Sequence, residues 1–366
     1  MPDPLKRLRT PHEVVLYRSK HLASVNLSDG IIVDVACGGG TPLIEACRAT
    51  GKRGIGIELG SERAAIAQKE VNASGLPIEV ICGDGTDVSN ITDDKVAVLM
   101  YDPERPMTGG SSHFEGLQPP IEKVIMAWGT QLIEGAALLF DLPPRFSEED
   151  QQRVEDLIET HLGSWPICWS LLSRGSSRID RLMLHAGPTA GIHNRRCIRL
   201  LPDGKVAELV GEVEEGPVEV EQKIAIGDVI GLVDATIPAA KLWNSWSSKH
   251  RVNGWLVQRG RRPTILFKQW PTTEDHFLID GGVVIDIQPK EPLEQAIESL
   301  LASCQRHNIA GALLRASVPP DSHSWFQRML DTTRLEGNRE AVIIDLPHLQ
   351  KPQLLLLDRR RSATLD

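Results

Sequence analysis

The sequence predicts an α/β protein: a doubly wound, largely parallel sheet followed by a second, smaller α+β domain. Three observations carry this expectation. Short apolar runs alternate with helical patterns through residue 187, and strands separated by helices of that length pair in parallel. A turn-rich break, Gly187-Pro188-Thr189-Ala190-Gly191, then interrupts the rhythm. Beyond it strands and helices follow in another order, and a chain of 366 residues is long enough for two cores. Domains are therefore expected at 1–187 and 188–366.

In order, IIVDVAC (31–37) reads as a buried strand and Thr41 to Thr50 as a helix. RGIGIE (53–58) is a second strand, Ser61–Ser74 a helix, and IEVICG (78–83) a third strand. VAVLMYD (96–102) and AALLFDL (136–142) continue the series, with a helix over about 119–134 between them. After a helix at 148–161, WPICWSLLSRG (165–175) and IDRLMLHAG (179–187) form a closing hairpin, which makes seven strands. RRCIRLLPDGKVAELVG (195–211) is a hairpin about Asp203-Gly204. Residues 212–272 are irregular and strand-rich. The remainder reads strand (277–287), helix (292–306), strand (309–317), helix (321–335) and hairpin (340–358).

Composition narrows the function classes. No apolar run reaches the roughly 20 residues that span a bilayer, and the basic start lacks the apolar stretch of a secretory signal. The six cysteines are scattered with no CxxC pair. That pattern predicts no zinc site, no disulfide framework and a cytoplasmic chain with reduced thiols. The net charge of −9 is uneven: 18 basic and 26 acidic residues lie through Ala190, against 22 and 23 beyond it. An acidic first half repels nucleic acid, whereas the near-neutral second half has room for a local basic patch.

The most informative segment is Asp34-Val35-Ala36-Cys37-Gly38-Gly39-Gly40-Thr41, where the first strand gives way to a helix. Ligands of open α/β sheets bind at that edge, and glycines there admit a close backbone approach. A dinucleotide would require G-x-G-x-x-G, but the third glycine falls on Leu43. Glu58 closes the second strand, where a carboxylate can accept from both ribose hydroxyls. Asp84 follows the third strand in CGDGTD, with Asp87 a nearby competitor, and can accept from an adenine amino group. One acid before the glycines and one after each of the next two strands suit a cationic sulfonium nucleoside with no diphosphate.

On these motifs the chain resembles the class I S-adenosylmethionine-dependent methyltransferases, whose sheet is Rossmann-like and seven-stranded. The resemblance implies S-adenosyl-L-methionine as cofactor. It implies that Asp34 supports the methionine end and the glycine loop, that Gly38 and Gly40 border the cofactor, that Glu58 takes the ribose and that Asp84 takes the adenine. Cys37 fits the D-x-x-C-G-x-G form of the loop as a small packing residue, since no partner base for a nucleophile is evident.

The fourth strand ends in Tyr101-Asp102-Pro103-Glu104-Arg105-Pro106, which in this fold faces the transferable methyl. The amine-methylating signature (D/N)-P-P-(Y/F) is not met, because Glu104 and Arg105 stand where proline and an aromatic would. The segment is instead similar to D-P-A-R-R followed by P-P-L in prokaryotic class I methyltransferases with a C-terminal THUMP-like domain. Further parallels are TPHEVVLYRSKHLA as a leading helix, SSRIDRLMLHAG as the closing hairpin and IAGALLRASVPPDSHSWFQRML near the C-terminus. This resemblance implies a THUMP-like second domain and an RNA acceptor, with catalytic-site roles for Asp102, Pro103 and Arg105. The alternatives are a module that keeps the cofactor fold without catalysis, or a protein or small-molecule methyltransferase. Arg195, Arg196, Arg199, Arg259, Arg261, Arg262 and Arg359–Arg361 are the cations available to RNA. Trp243, Trp246, Trp255 and Trp270 either stack bases or fill a core.

Overall fold

The computed structural model describes residues 10–89, 95–104, 114–175, 178–220, 223–258, 260, 262–333, 335–346 and 352–360. It divides into two compact units, Met1–Arg174 with Ile179–Glu212 and Gly175–Arg178 with Val213–Asp366.

The first unit is built on β1 (Ile31–Asp34), β2 (Gly54–Glu58), β3 (Ile78–Cys82), β4 (Val96–Tyr101), β5 (Leu132–Leu142), β6 (Ile167–Ser173), β7 (Ile179–Ala186), β8 (Arg195–Leu200) and β9 (Val206–Gly211). Their order is β3-β2-β1-β4-β5-β7-β6-β8-β9. The first five pair in parallel, β7 runs antiparallel between β5 and β6, and β8 pairs in parallel with β6. β1 and β4 are fully buried, so they read as unbroken apolar runs and not as alternating ones. The helices are α1 (His12–Ala23), α2 (Thr41–Thr50), α3 (Ser61–Ser74), α4 (Ile121–Gly129) and α5 (Glu148–Leu162). Left-handed Gly51 and Gly75 stop α2 and α3, and a Ser147/Asp150 capping box starts α5.

Two expectations are corrected here. The helix expected over 119–134 stops at Gly129, and β5 begins at Leu132. Glu134 and left-handed Gly135 break its apolar run where the β4–β5 register slips. The hairpin 195–211 belongs to the first sheet, because Trp169 to Ser173 pair with Arg195 to Arg199. The first unit therefore continues through Glu212, past the expected break at 187/188.

The second unit contains β10 (Val229–Val233), α6 (Thr236–Ala239), α7 (Trp243–Ser247), β11 (Val252–Val257), β12 (Thr264–Phe267), β13 (Leu278–Pro289), α8 (Leu293–Arg306), β14 (Ile309–Leu314), α9 (Pro320–Thr332), β15 (Arg339–Leu346) and β16 (Gln353–Arg359). Its sheet runs β11-β12-β10-β13-β16-β15-β14, and β14–β15 is the parallel pair. β15 and β16 are buried on both faces. Ala341, Ile343, Leu354 and Leu356 join one cluster under α8 and α9. Val342, Ile344, Leu355 and Leu357 join another on the opposite side. Among the described residues no helix is long and apolar enough to cross a membrane, and no group of three His, Cys, Asp or Glu could hold a metal ion.

Candidate functional site

In the first unit the chain winds from β1 outward to β3, then returns to lay β4 on the other side of β1. The crevice at the carboxyl ends of β1 and β4 is the switch point where such sheets bind ligands. Asp34 closes β1 there and Asp102 follows β4. The glycine loop is pinned by its backbone: Val35 N–H donates to Met100 O at 3.1 Å, Cys37 N–H to Ile57 O at 2.9 Å and Gly40 N–H to Cys37 O at 2.8 Å. Gly38 (φ 53°) and Gly40 (φ 78°) are left-handed, which favours glycine at both positions. Among the described residues, a Cβ on Gly38 or Gly39 would meet nothing within 4 Å, so this stretch of backbone faces space that they leave open. Among the described residues no side chain caps the start of α2. Leu43 is fully buried in the core, and the glycine a diphosphate would need has no counterpart there.

Glu58 is buried directly behind the loop. Its Oε2 accepts from Gly38 N–H at 3.1 Å, and its Oε1 accepts from Gly60 N–H at 2.8 Å. Arg63, in the first turn of α3, brings Nη2 within 2.9 Å of Glu58 Oε1 and 3.0 Å of Glu104 Oε2. Next to Glu58, Leu59 is 74% exposed and leaves an apolar side chain uncovered beside the acid. The third acid, Asp84, is exposed, and its Oδ1 accepts from the Thr86 N–H and hydroxyl, both at 2.8 Å. Its neighbour Gly85 has no room for a side chain, since a Cβ would lie 2.0 Å from Val35 O. Trp128 Nε1–H also donates to Gly85 O at 2.7 Å. These contacts seat the CGDGTD turn against the residue following β1, at the edge that carries the glycines.

Asp34 lies within a group of charges. Its Oδ1 accepts from Ala36 N–H at 3.2 Å. Burial pushes its carboxyl up to about 7; Asp102 and Asp141 add to the rise, while the Ala36 N–H and Arg18 oppose it. Arg18 of α1 is ion-paired with Asp141 at the end of β5, both buried. Asp102 is half-buried and accepts at Oδ2 from Thr10 Oγ1 at 3.3 Å. Pro103 is buried, and Glu104 exchanges backbone hydrogen bonds with Gln118 (2.9 and 3.3 Å). Arg105 lies outside the described residues. Cys37 is buried with its sulfur against Gly56, and burial pushes its thiol up, which opposes nucleophilic chemistry.

The sequence reading did not single out Arg18, Leu59, Arg63, Gly85 or Asp141. Asp141 carried a signal, an acid closing an apolar strand. Arg18 and Arg63 carried none, because their roles depend on how α1 and α3 are rotated against the sheet. The cations offered to RNA are largely engaged within the protein. Arg196 is buried with Nη1 2.9 Å from His21 Nε2, and Arg195 donates to Asn194 O at 3.0 Å. Arg359 grips Asp280 with two bonds, of 2.8 and 3.0 Å, and Arg262 donates to Ser317 Oγ at 3.0 Å. Arg259, Arg261 and Arg361 lie outside the described residues. Trp243, Trp246 and Trp255 are buried, and Trp246 packs among His250, Trp255 and Phe267. These three fill the core instead of offering a stacking face.

No protein-family model and no curated protein matches the chain. Solved structures do resemble it. A Listeria monocytogenes protein provisionally assigned as a class I S-adenosylmethionine-dependent methyltransferase is 16% identical with a TM-score of 0.39, over 49% of this chain and 60% of that one. The chain thus spans less than two thirds of that relative's length. Precorrin-6y C5,15-methyltransferase from Geobacter metallireducens is 12% identical with a TM-score of 0.37, over 50% and 90%. An RNA methyltransferase from Salinibacter ruber, solved with S-adenosyl-L-homocysteine, is 20% identical with a TM-score of 0.32, over 50% and 95%.

Proposed function

We propose that the chain is an S-adenosylmethionine-dependent methyltransferase with RNA as its acceptor. The observation that carries the cofactor reading is the contact between Glu58 and the glycine loop. A buried carboxylate holds Gly38 N–H on one side of a backbone that faces open space on the other. Asp34 and Asp84 stand at the neighbouring strand ends. Carboxylates suit an ammonium, a diol and an exocyclic amine, and a crevice lined by acids disfavours a phosphate. The residues present therefore fit S-adenosylmethionine: Asp34 for the amino-acid end, Glu58 for the ribose, Asp84 for the base edge and Leu59 as an apolar surface against the base.

When bound, the cofactor supplies an electrophilic methyl on a sulfonium. What the chain contributes is position and exclusion of water. Asp102, half-buried at the switch point, orients the acceptor and receives its proton, and the buried Pro103 fixes the backbone that follows. RNA as acceptor and a THUMP-like second unit rest on the sequence resemblance and not on the described arginines, and a cytoplasmic location rests on the scattered cysteines.

The test is a titration with S-adenosyl-L-homocysteine, then incubation with methyl-labelled cofactor and fractionated RNA, protein and metabolites. Expected are binding that Gly38→Arg abolishes and label in RNA, lost as salt is raised. Label in protein or a metabolite alone refutes the RNA acceptor. Binding without any transfer leaves a cofactor-binding module, and no binding refutes the cofactor reading itself.

A further inference from the structure

The second sheet ends on β11 at one edge and on β14 at the other, and the two edges are finished differently. β11 is covered by neighbouring backbone, since Val220 N–H donates to Trp255 O at 2.8 Å. β14 (IAGALL) contains no charged residue and no proline, the usual guards of a free edge. Among the described residues its guard is one side chain from α9. Gln327 accepts at Oε1 from Leu314 N–H at 2.9 Å and donates from Nε2 to Ala312 O at 3.2 Å. Nε2 also donates to Asp331 Oδ1 at 2.8 Å, which fixes the orientation of the amide. We propose that the β14 edge is a self-association surface, fitted to β14 of a second copy of this chain, and that Gln327 masks it.

Arg315 N–H donates to Ile343 O of β15, so the alternate backbone groups of Ala312 and Leu314 point away from the sheet. A carbonyl and an N–H two residues apart are what one residue of a parallel neighbouring strand would bond. The Gln327 amide, with its own donor and acceptor, stands in for that residue opposite Leu313. No strand can pair there until the amide leaves. A second copy is the occupant that fits. Two identical edges meet about a two-fold axis as antiparallel strands, and this strand sets no like charges against each other. Small residues allow the approach: Ala310 is exposed, and among the described residues a Cβ on Gly311 would meet nothing within 4 Å. An uncharged apolar strand without proline is also the kind that pairs with itself once uncovered.

The test is sedimentation equilibrium of the full chain over a range of concentrations. The samples are the wild type, Gln327→Met, Gln327→Ala, and Gln327→Met combined with Ala310→Lys, with circular-dichroism melts to check folding. Each wild-type copy gives up its Gln327 bonds to Leu314 and Ala312 on opening its edge, and a pair gives up both sets. Both Gln327 variants should therefore associate about thirtyfold or more tightly than the wild type, the low end of what those bonds are worth. Ala310→Lys should abolish the gain, because it places a charge on each edge. Amide exchange locates the contact: the Leu314 amide should exchange slowly in the wild type, fast in dilute Gln327→Met, and slowly again once that variant associates. Unchanged association in both Gln327 variants, or a gain that Ala310→Lys leaves intact, overturns the proposal. Fast exchange of Leu314 in the wild type overturns it without recourse to any variant.

Discussion

On the proposed role of Asp34 at the amino-acid end, cofactor affinity should depend on pH, with a sign and size that follow from its surroundings. The carboxyl is buried among Asp102 and Asp141, with a pKa of about 7 against an ordinary value of 3.8. The folded state thus binds the Asp34 proton more tightly than the unfolded state does. The stability this contributes is complete below about pH 4 and is lost as pH rises toward 7. A cationic ligand has the reverse preference, since an ammonium beside Asp34 favours the ionised form and binding expels the proton. At pH 5.5 about 3% of Asp34 is ionised in the free protein, and at pH 7.0 about half, so affinity should rise about sixteenfold between them.

The assay is calorimetric titration of S-adenosyl-L-homocysteine at pH 5.5, 6.0 and 7.0, in two buffers of different ionisation enthalpy. At pH 6.0 the buffer difference should report release of about 0.9 proton, and Asp34→Asn should bind weakly with no pH slope. His21 does not confuse the result, because burial and Arg196 push its pKa down. A dissociation constant that stays flat from pH 5.5 to 7.0, with no proton released, would refute the reasoning.

Three other outcomes are expected. Arg18→Met should cost about 3–5 kcal/mol in urea unfolding by leaving Asp141 buried without its cation, and Arg18→Met with Asp141→Leu should recover most of that loss. Gly85→Ala forces a Cβ to 2.0 Å from Val35 O, whereas one on Gly83 has 3.8 Å to its nearest neighbour. The first should lower stability by about 1–3 kcal/mol and weaken cofactor binding, and the second should do neither. Gly38→Arg should abolish binding in titration while costing only about 1–2 kcal/mol of stability, because φ is left-handed there but the space is open.

What was legible in the sequence is what local chemistry decides. Thr41–Thr50 and Ser61–Ser74 have the bounds read from sequence, because Pro42 near the start of one helix and Gly51 and Gly75 after the two helices are punctuation carried by single residues. The acids at the ends of β1 and β2 and the turn at Asp84 were legible for the same reason. Asp203-Gly204 announced a hairpin, but nothing local says which sheet edge a hairpin joins. The pairing of Trp169–Ser173 with Arg195–Arg199 is long-range and moved the end of the first unit to Glu212. The arginines failed for a related reason: sequence shows a cation, whereas only folding shows that Asp280 lies beneath Arg359 or His21 beside Arg196.

The charge of −9 can now be read locally. Around the switch point, Asp34, Asp102 and Asp141 lie near the guanidinium of Arg18, which is ion-paired with Asp141. Free of ligand, burial first and the repulsion of Asp102 and Asp141 second keep a proton on Asp34. A cationic ligand relieves it by replacing that proton, whereas a diphosphate would add to it. The repulsion among these carboxylates, the smaller part of what raises the Asp34 pKa, would on the proposed reading also favour a cationic ligand over a dinucleotide. The test is direct: Asp141→Asn should lower the Asp34 pKa and, with it, the pH above which binding no longer tightens.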